Sequence, residues 1–244
     1  MTLKLNIVGR RRPGTTLTEH RYHIRQVHGA AVLRFIEAEP DNAPRRYVQN
    51  AVFDGQYRAA APGSDPFALN RDFVTQIWCD DLAMLERSRR SAFYQEQLKE
   101  DEDRFVDQAS VLFLPSRERE IVARAAIPAG AVKLFTFTQR APGAHPAEYA
   151  SAWRQAAQAA GAAPLRHVQN DLMSPPGTVQ FADAIDEFWL PDEASARALL
   201  ASWSAVLTDA LVRPGLASAA SVVSLLARED VVYPGAANLS RVGL

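Results

Sequence analysis

The chain has 244 residues, with 27 Lys and Arg against 28 Asp and Glu for a formal net charge of −1, and 48% of its residues are hydrophobic. That length allows one large domain or two smaller ones with a real core, and the charge balance excludes a nucleic-acid protein, which needs a basic surplus to neutralise several phosphates. A single cysteine excludes an internal disulfide framework and zinc sites of the CxxC type.

The N-terminus, MTLKLNIVGRRRPG, joins a short apolar stretch to basic residues. The stretch falls far short of the roughly 18 residues of a spanning helix, so neither signal peptide nor membrane segment is expected. The expected compartment is a reducing cytoplasm, in keeping with a mean hydropathy of −0.17. Leu3 to Arg10 predicts a strand, ended by a Pro13-Gly14 turn. Thr16 and Glu19 have the spacing of a capping box and open a helix. Arg46 to Asp54 and Phe73 to Cys79 predict strands, separated by the turn residues Pro62-Gly63-Ser64-Asp65-Pro66. A helical run follows from Asp81 to about Phe105, broken near Ser91, and Val111 to Leu114 closes the series as a strand. Ile127 to Val132, interrupted by Pro128 and Gly130, reads as linker. Beyond it, Val132 to Gln139, Arg166 to Met173, Ala184 to Leu190 and Ser221 to Ala227 predict strands. Helices are expected over Ala147 to Ala160 and Glu193 to Val212, with Pro146 at a first helical position and His145 as a cap. The tail from Pro234 to Leu244 has no periodicity.

The two halves resemble each other. Leu3 to Gly14 (LKLNIVGRRRPG) aligns with Val132 to Gly143 (VKLFTFTQRAPG) through Lys4/Lys133, Leu5/Leu134, Arg11/Arg140, Pro13/Pro142 and Gly14/Gly143. RRYVQN at Arg45 to Asn50 matches LRHVQN at Leu165 to Asn170, and DFVTQIW at Asp72 to Trp78 matches DAIDEFW at Asp183 to Trp189. Matches in conserved order mark an internal repeat. Each half reads β-α-β-β-α-β, the ferredoxin-like plan, whose sheet has helices on one face only. The expected fold is therefore α+β: two ferredoxin-like repeats, residues 1–120 and 131–233, joined by a linker at 121–130 and followed by a tail at 234–244. Packing the two bare sheet faces together would make a pseudo-dimeric α/β barrel.

The segment Arg11 to Val32, RRPGTTLTEHRYHIRQVHGAAV, resembles the signature of the EthD family, in which an Arg/Lys-Pro-Gly turn precedes a helix ending in Val-His-Gly. The resemblance continues through Arg46 to Asn50 and through DEDRFVD at Asp101 to Asp107, and covers most of residues 1–118; residues 131–230 resemble a second, eroded copy. It implies membership of the dimeric α/β barrel superfamily. The activities it implies are open: the family takes its name from an ether-degradation cluster, related proteins are dehydratases or decarboxylases of aromatic polyketide pathways, and barrel relatives include cofactor-independent monooxygenases and lactone isomerases. Duplication removes the need for the obligatory dimer of single-unit relatives and leaves a homodimer open.

His28 heads the candidate site residues. The stripe His20, Ile24, Val27, His28, Ala31, Phe35 recurs at steps of three and four, which turns His28 toward the sheet. There it would serve as general acid or base, or else tie helix to sheet as an ordinary buried histidine. The second half has lost it, which suggests a single working pocket. If Val48 faces the helices, Tyr47 and Gln49 point into the barrel, as His167 and Gln169 do from the second half. Tyr47, or Asn50, would then hydrogen-bond an oxyanion. Asn50 and Asn170 equally suit a shared structural bond, and Trp78 and Tyr94 would wall the pocket for an aromatic ligand. His20 and His23 read as ordinary, and Lys99 to Arg104 (KEDEDR) as a solvated helix face. No metalloprotease, dinucleotide, P-loop or hydrolase-elbow motif occurs, and the histidines lack a paired spacing, so neither metal nor cofactor is expected. The expected function is a cofactor-independent lyase (dehydratase or decarboxylase) or isomerase acting on an aromatic or carbonyl compound. The alternatives are a cofactor-free monooxygenase and a non-catalytic binding or assembly module.

Overall fold

The protein was described from a computed structural model covering residues 2–57, 70–123, 126–160, 164–173 and 181–236. The expected turn at Pro62 to Pro66, and most of the tail, lie outside the described residues. Two compact units emerge: unit 1 is Met1–Ala51, Asn70–Ser116 and Glu229–Leu244, and unit 2 is Val52–Leu69 and Arg117–Arg228.

In unit 1, β1 (Leu3–Gly9) lies between β3 (Phe73–Cys79) and β4 (Leu112–Ala123), antiparallel to both, and β2 (Arg46–Gln56) flanks β3. Lys4 stands opposite Trp78, and Arg46 meets Trp78 from the other side. The first helical layer runs continuously through α1 (Leu17–Tyr22), a π-helical turn (His23–His28) and α2 (Gly29–Ala38). The second comprises α3 (Leu82–Arg90), a break at Ser91, a π-helical turn (Tyr94–Leu98) and α4 (Lys99–Phe105). Local chemistry explains the boundaries. Gly14 supplies the positive φ (90°) of the Pro-Gly turn. The Thr16 hydroxyl accepts from the Glu19 N–H (3.2 Å) while the Glu19 carboxylate accepts from the Thr16 N–H (2.7 Å), closing the predicted capping box. The Asp81 carboxylate accepts from the Met84 N–H at 2.7 Å and starts α3.

In unit 2, β5 (Val132–Thr138) lies between β7 (Ala184–Leu190) and β8 (Val223–Tyr233), and β6 (Arg166–Leu172) flanks β7. The helices are α5 (Pro146–Ala156), capped by His145, and α6 (Glu193–Leu207), capped by Asp192. The registers match those of unit 1: Lys133 stands opposite Trp189, and Arg166 meets Trp189. Within unit 1 the hydrogen-bonded strand order is β4-β1-β3-β2, and within unit 2 it is β8-β5-β7-β6. The class is α+β, and each unit has the element order expected of it. β4 and β8 extend well past their predicted ends. No helix among the described residues is long and apolar enough to cross a membrane.

One expectation is reversed. Tyr47 packs with Ala31, Val32, Phe35 and Leu98, and Gln49 bonds to helix backbone, so these two face the helices and Val48 and Asn50 face away. Period-two alternation groups residues by face without saying which face is which. The usual guide, apolar inside and polar outside, fails here because both faces of this sheet are buried: Val48 is 0% exposed and so are Asn6 and Gln76 on the same side. That far face carries an amide ladder. Asn50 Nδ2 donates to the Val74 carbonyl (2.8 Å) and to Gln76 Oε1 (3.3 Å), Gln76 Nε2 donates to Asn6 Oδ1 (2.8 Å), and Asn6 Nδ2 donates to Ser116 Oγ (3.1 Å). The ladder pairs the buried amides with one another, leaving Asn50 Oδ1 without a hydrogen-bond partner among the described residues.

Candidate active site

Between the sheet of unit 1 and its helices lies a mostly apolar pocket of about 90 Å³, bordered by Ile24, His28, Tyr47, Tyr94, Glu102 and Phe105 among others. This is smaller than the roughly 300–1,000 Å³ of most small-molecule sites, so the pocket suits a compact ligand. The π turn makes the site. In a regular α-helix residues five apart lie about 140° apart around the axis, which would turn His23 away whenever His28 faced in. Here the Gly29 N–H reaches back to the Ile24 carbonyl, five residues earlier, and the widened turn brings both imidazoles to the same carboxylate. The extra residue also turns Val27 out to 39% exposure, correcting the predicted stripe.

That carboxylate is Asp101, on α4. Its Oδ1 lies 2.8 Å from His23 Nε2 and its Oδ2 3.0 Å from His28 Nδ1. Burial works against its ionisation, but the hydrogen bonds from His28 and His23 outweigh that cost and hold the carboxyl below the ordinary aspartate range. An ionised carboxylate only accepts, so both imidazole nitrogens donate. His28 therefore carries a proton on Nδ1, and in the neutral ring Nε2 is the basic atom, a tautomer set by its neighbour. Phe105 packs on His28 and His23, with ring centroids 4.9 and 5.0 Å away.

Two further groups add to the polar lining. Burial raises the Glu102 carboxyl above the usual glutamate range, against the opposing influence of His28 and of a hydrogen bond from Tyr94, whose hydroxyl donates at 3.1 and 3.2 Å to the two carboxylate oxygens. The Tyr47 phenol is pushed up by burial, its hydroxyl accepting from Gln49 Nε2 at 3.0 Å. It stays a neutral O–H with its hydrogen available. Gln49 also donates to the Ile24 carbonyl of the π turn at 2.6 Å, tying strand and helix together. Cys79 borders the pocket as a thiol that burial raises to about 11, so it is no thiolate near neutrality.

Residues 12–109 match the profile of the EthD domain. The chain is similar to the EthD domain over this region. All the pocket groups named so far, and the Asp101-to-Asp107 motif, fall within its bounds. The chain has no detectable sequence match among curated proteins. Solved structures share its fold over nearly the whole chain at low identity. An anthrone oxidase-like protein has a TM-score of 0.59 at 11% identity, covering 95% of this chain and 93% of its own. A candidate monooxygenase of Fusobacterium nucleatum subsp. nucleatum gives 0.57 at 8%, covering 96% and 94%. The chlorite dismutase of Candidatus Nitrospira defluvii, solved with imidazole, gives 0.54 at 8%, covering 95% and 92%.

Of the residues singled out from sequence, the EthD-like region brings His28, Tyr47 and Tyr94 to one pocket, with Gln49 behind Tyr47. Asn50 and Trp78 are not there: Asn50 belongs to the far-face ladder, and Trp78 lies beneath Lys4 and Arg46 at 4.9 and 4.6 Å. His167 and Gln169 lie outside the EthD-like region, on the helix-facing side of unit 2. There His167 Nε2, Gln169 Nε2 and Trp153 Nε1 converge on the Asp186 carboxylate at 2.9, 3.0 and 2.7 Å. Asp101, Glu102 and His23 were missed. The run Lys99 to Arg104 reads as a solvated face by composition, yet Leu98, Asp101, Glu102 and Phe105 recur at helical spacing, and two carboxylates inside an apolar stripe are the available signal.

Proposed function

We propose that the EthD-like region is the catalytic half of a small-molecule enzyme, a lyase or isomerase that removes a proton beside the carbonyl of a compact aromatic or apolar substrate. The observation that carries this reading is His28, an imidazole bordering an apolar pocket with its tautomer fixed by Asp101. Nε2 takes the proton from carbon, and the C–H electron pair moves into the carbonyl to form an enolate. The enolate oxygen accepts a hydrogen bond from Tyr47, which Gln49 holds in place. Glu102, whose buried carboxyl favours its protonated form, returns a proton either to another carbon, giving an isomer, or to a β-hydroxyl that leaves as water. The scheme uses side chains alone. The matching registers of the two units support the related reading of two ferredoxin-like repeats, residues 1–120 and 131–233, of which one keeps the working pocket.

The test is deuterium exchange into one-ring ketones and phenols in heavy water, followed by NMR with dissolved oxygen monitored. His28→Asn keeps an N–H to offer Asp101 but has no titrating nitrogen, so exchange should fall by about 100-fold or more with the melting temperature little changed. Equal exchange by the variant overturns the assignment. The names of the solved neighbours favour a second reading, oxygenation of an electron-rich aromatic, which begins with the same deprotonation; oxygen consumed in step with substrate would select it.

A further inference from the structure

The enclosed pocket adjoins an open groove of about 450 Å³ lined by Arg89, Tyr94, Gln95, Lys99, Glu102, Asp103, Gln108 and Phe113. Arg89, Tyr94, Glu102, Gln108 and Phe113 border both spaces and so form the mouth. The Arg89 guanidinium lies over the Phe113 ring, 4.5 Å from its centroid, and also acts on the Tyr94 hydroxyl and the Glu102 carboxyl, without a close ion pair among the described residues. Phe113 is itself 40% exposed. A guanidinium over a ring has five N–H donors, more than its present partners use, and can offer the others to a planar anion. The other cation of the groove, Lys99, is engaged with Gln95 Oε1 at 3.2 Å, and the acids Glu102 and Asp103 stand nearby. Arg89 is thus the cation that faces the opening.

We propose that Arg89 selects a carboxylate on the substrate: the apolar body enters the pocket beside His28 while the carboxylate stays at the mouth on the guanidinium. The inference rests on the catalytic reading above and narrows its substrate class to carboxylates with a compact apolar body. It also has a consequence for Glu102. A carboxylate arriving at Arg89 adds negative charge beside Glu102 and offsets the cation that favours its ionised form, so binding pushes the Glu102 carboxyl further above the usual glutamate range.

Benzoate and benzamide have the same shape and differ in charge, and their binding is measured by calorimetry at pH 7.5. Wild-type protein should bind benzoate about tenfold more tightly than benzamide. Arg89→Gln should abolish the preference, Arg89→Lys should restore part of it, and Arg90→Gln, one residue along α3, should leave it unchanged. Equal affinities in the wild type, a preference that survives Arg89→Gln, or no binding of either compound at millimolar concentration each overturns the proposal. The two readings fail separately: a benzoate preference retained in a wild-type protein without deuterium exchange leaves the anion-selecting mouth standing and removes the catalytic assignment.

Discussion

His20 is 2% exposed, stacked on Phe73 at 5.4 Å between ring centroids, and neither of its ring nitrogens has a hydrogen-bond partner among the described residues. It serves as a flat hydrophobe, and burial lowers its pKa to about 4 from 6.5, the nearby Asp72 opposing weakly. Between those values the unfolded chain holds a proton that the folded chain refuses, so stability falls as pH falls through that window. A shift of this size corresponds to roughly 3 kcal/mol once both states are titrated. Chemical denaturation at pH 7 and at pH 4 should show that loss in wild-type protein and much less of it in His20→Leu. Asp101 and Asp107, both held low by their partners, lose their contributions at still lower pH. Glu102, raised, works in the opposite direction, but all three act in both proteins, so the difference isolates His20. Parallel curves for the two proteins would mean that His20 titrates normally.

The secondary elements show where sequence is legible and where it stops. Caps and turns were readable because each is a local bargain between a side chain and the nearest backbone: Thr16 with Glu19, Asp81 with the Met84 N–H, Pro13 with Gly14. The π turns were not. Nothing in HIRQVH announces five-residue spacing, because the widened turn is held by tertiary partners: Asp101 from α4 and Gln49 from β2. The same holds for sheet parity, which the burial of both faces hides, and for Asp101 and Glu102, which look solvated until α4 is docked. Gln49 tests this view of the helix. Gln49→Leu removes donors to the Ile24 carbonyl and the Tyr47 hydroxyl, although the Gly29 N–H still reaches the former. Destabilisation of about 1–3 kcal/mol is expected by urea titration, against about 1 kcal/mol for the exposed cap variant Thr16→Ala. A neutral Gln49→Leu would show that the π turn stands on Asp101 alone.

Across the whole chain, two units with matching strand registers differ in what they put between helix and sheet. In unit 1, Gln49 stands opposite Thr75, and the space in front of them is left as a pocket. In unit 2, Gln169 stands opposite Asp186, and Trp153, Trp203 and Phe188 pack the corresponding layer, each at most 1% exposed. The second layer gains a core where the first keeps a cavity, as expected when one unit carries the chemistry and the other carries stability. Asp186→Ala separates these roles. It orphans three buried donors at once, from Trp153, His167 and Gln169, and should destabilise the protein by about 3–5 kcal/mol in urea titration. In the fraction that stays folded at low temperature, the benzoate-over-benzamide ratio and the deuterium exchange rate should match wild type. If either drops with Asp186→Ala while the fold persists, His167 and Gln169 serve the substrate as well as the core, and unit 2 has a part in the chemistry.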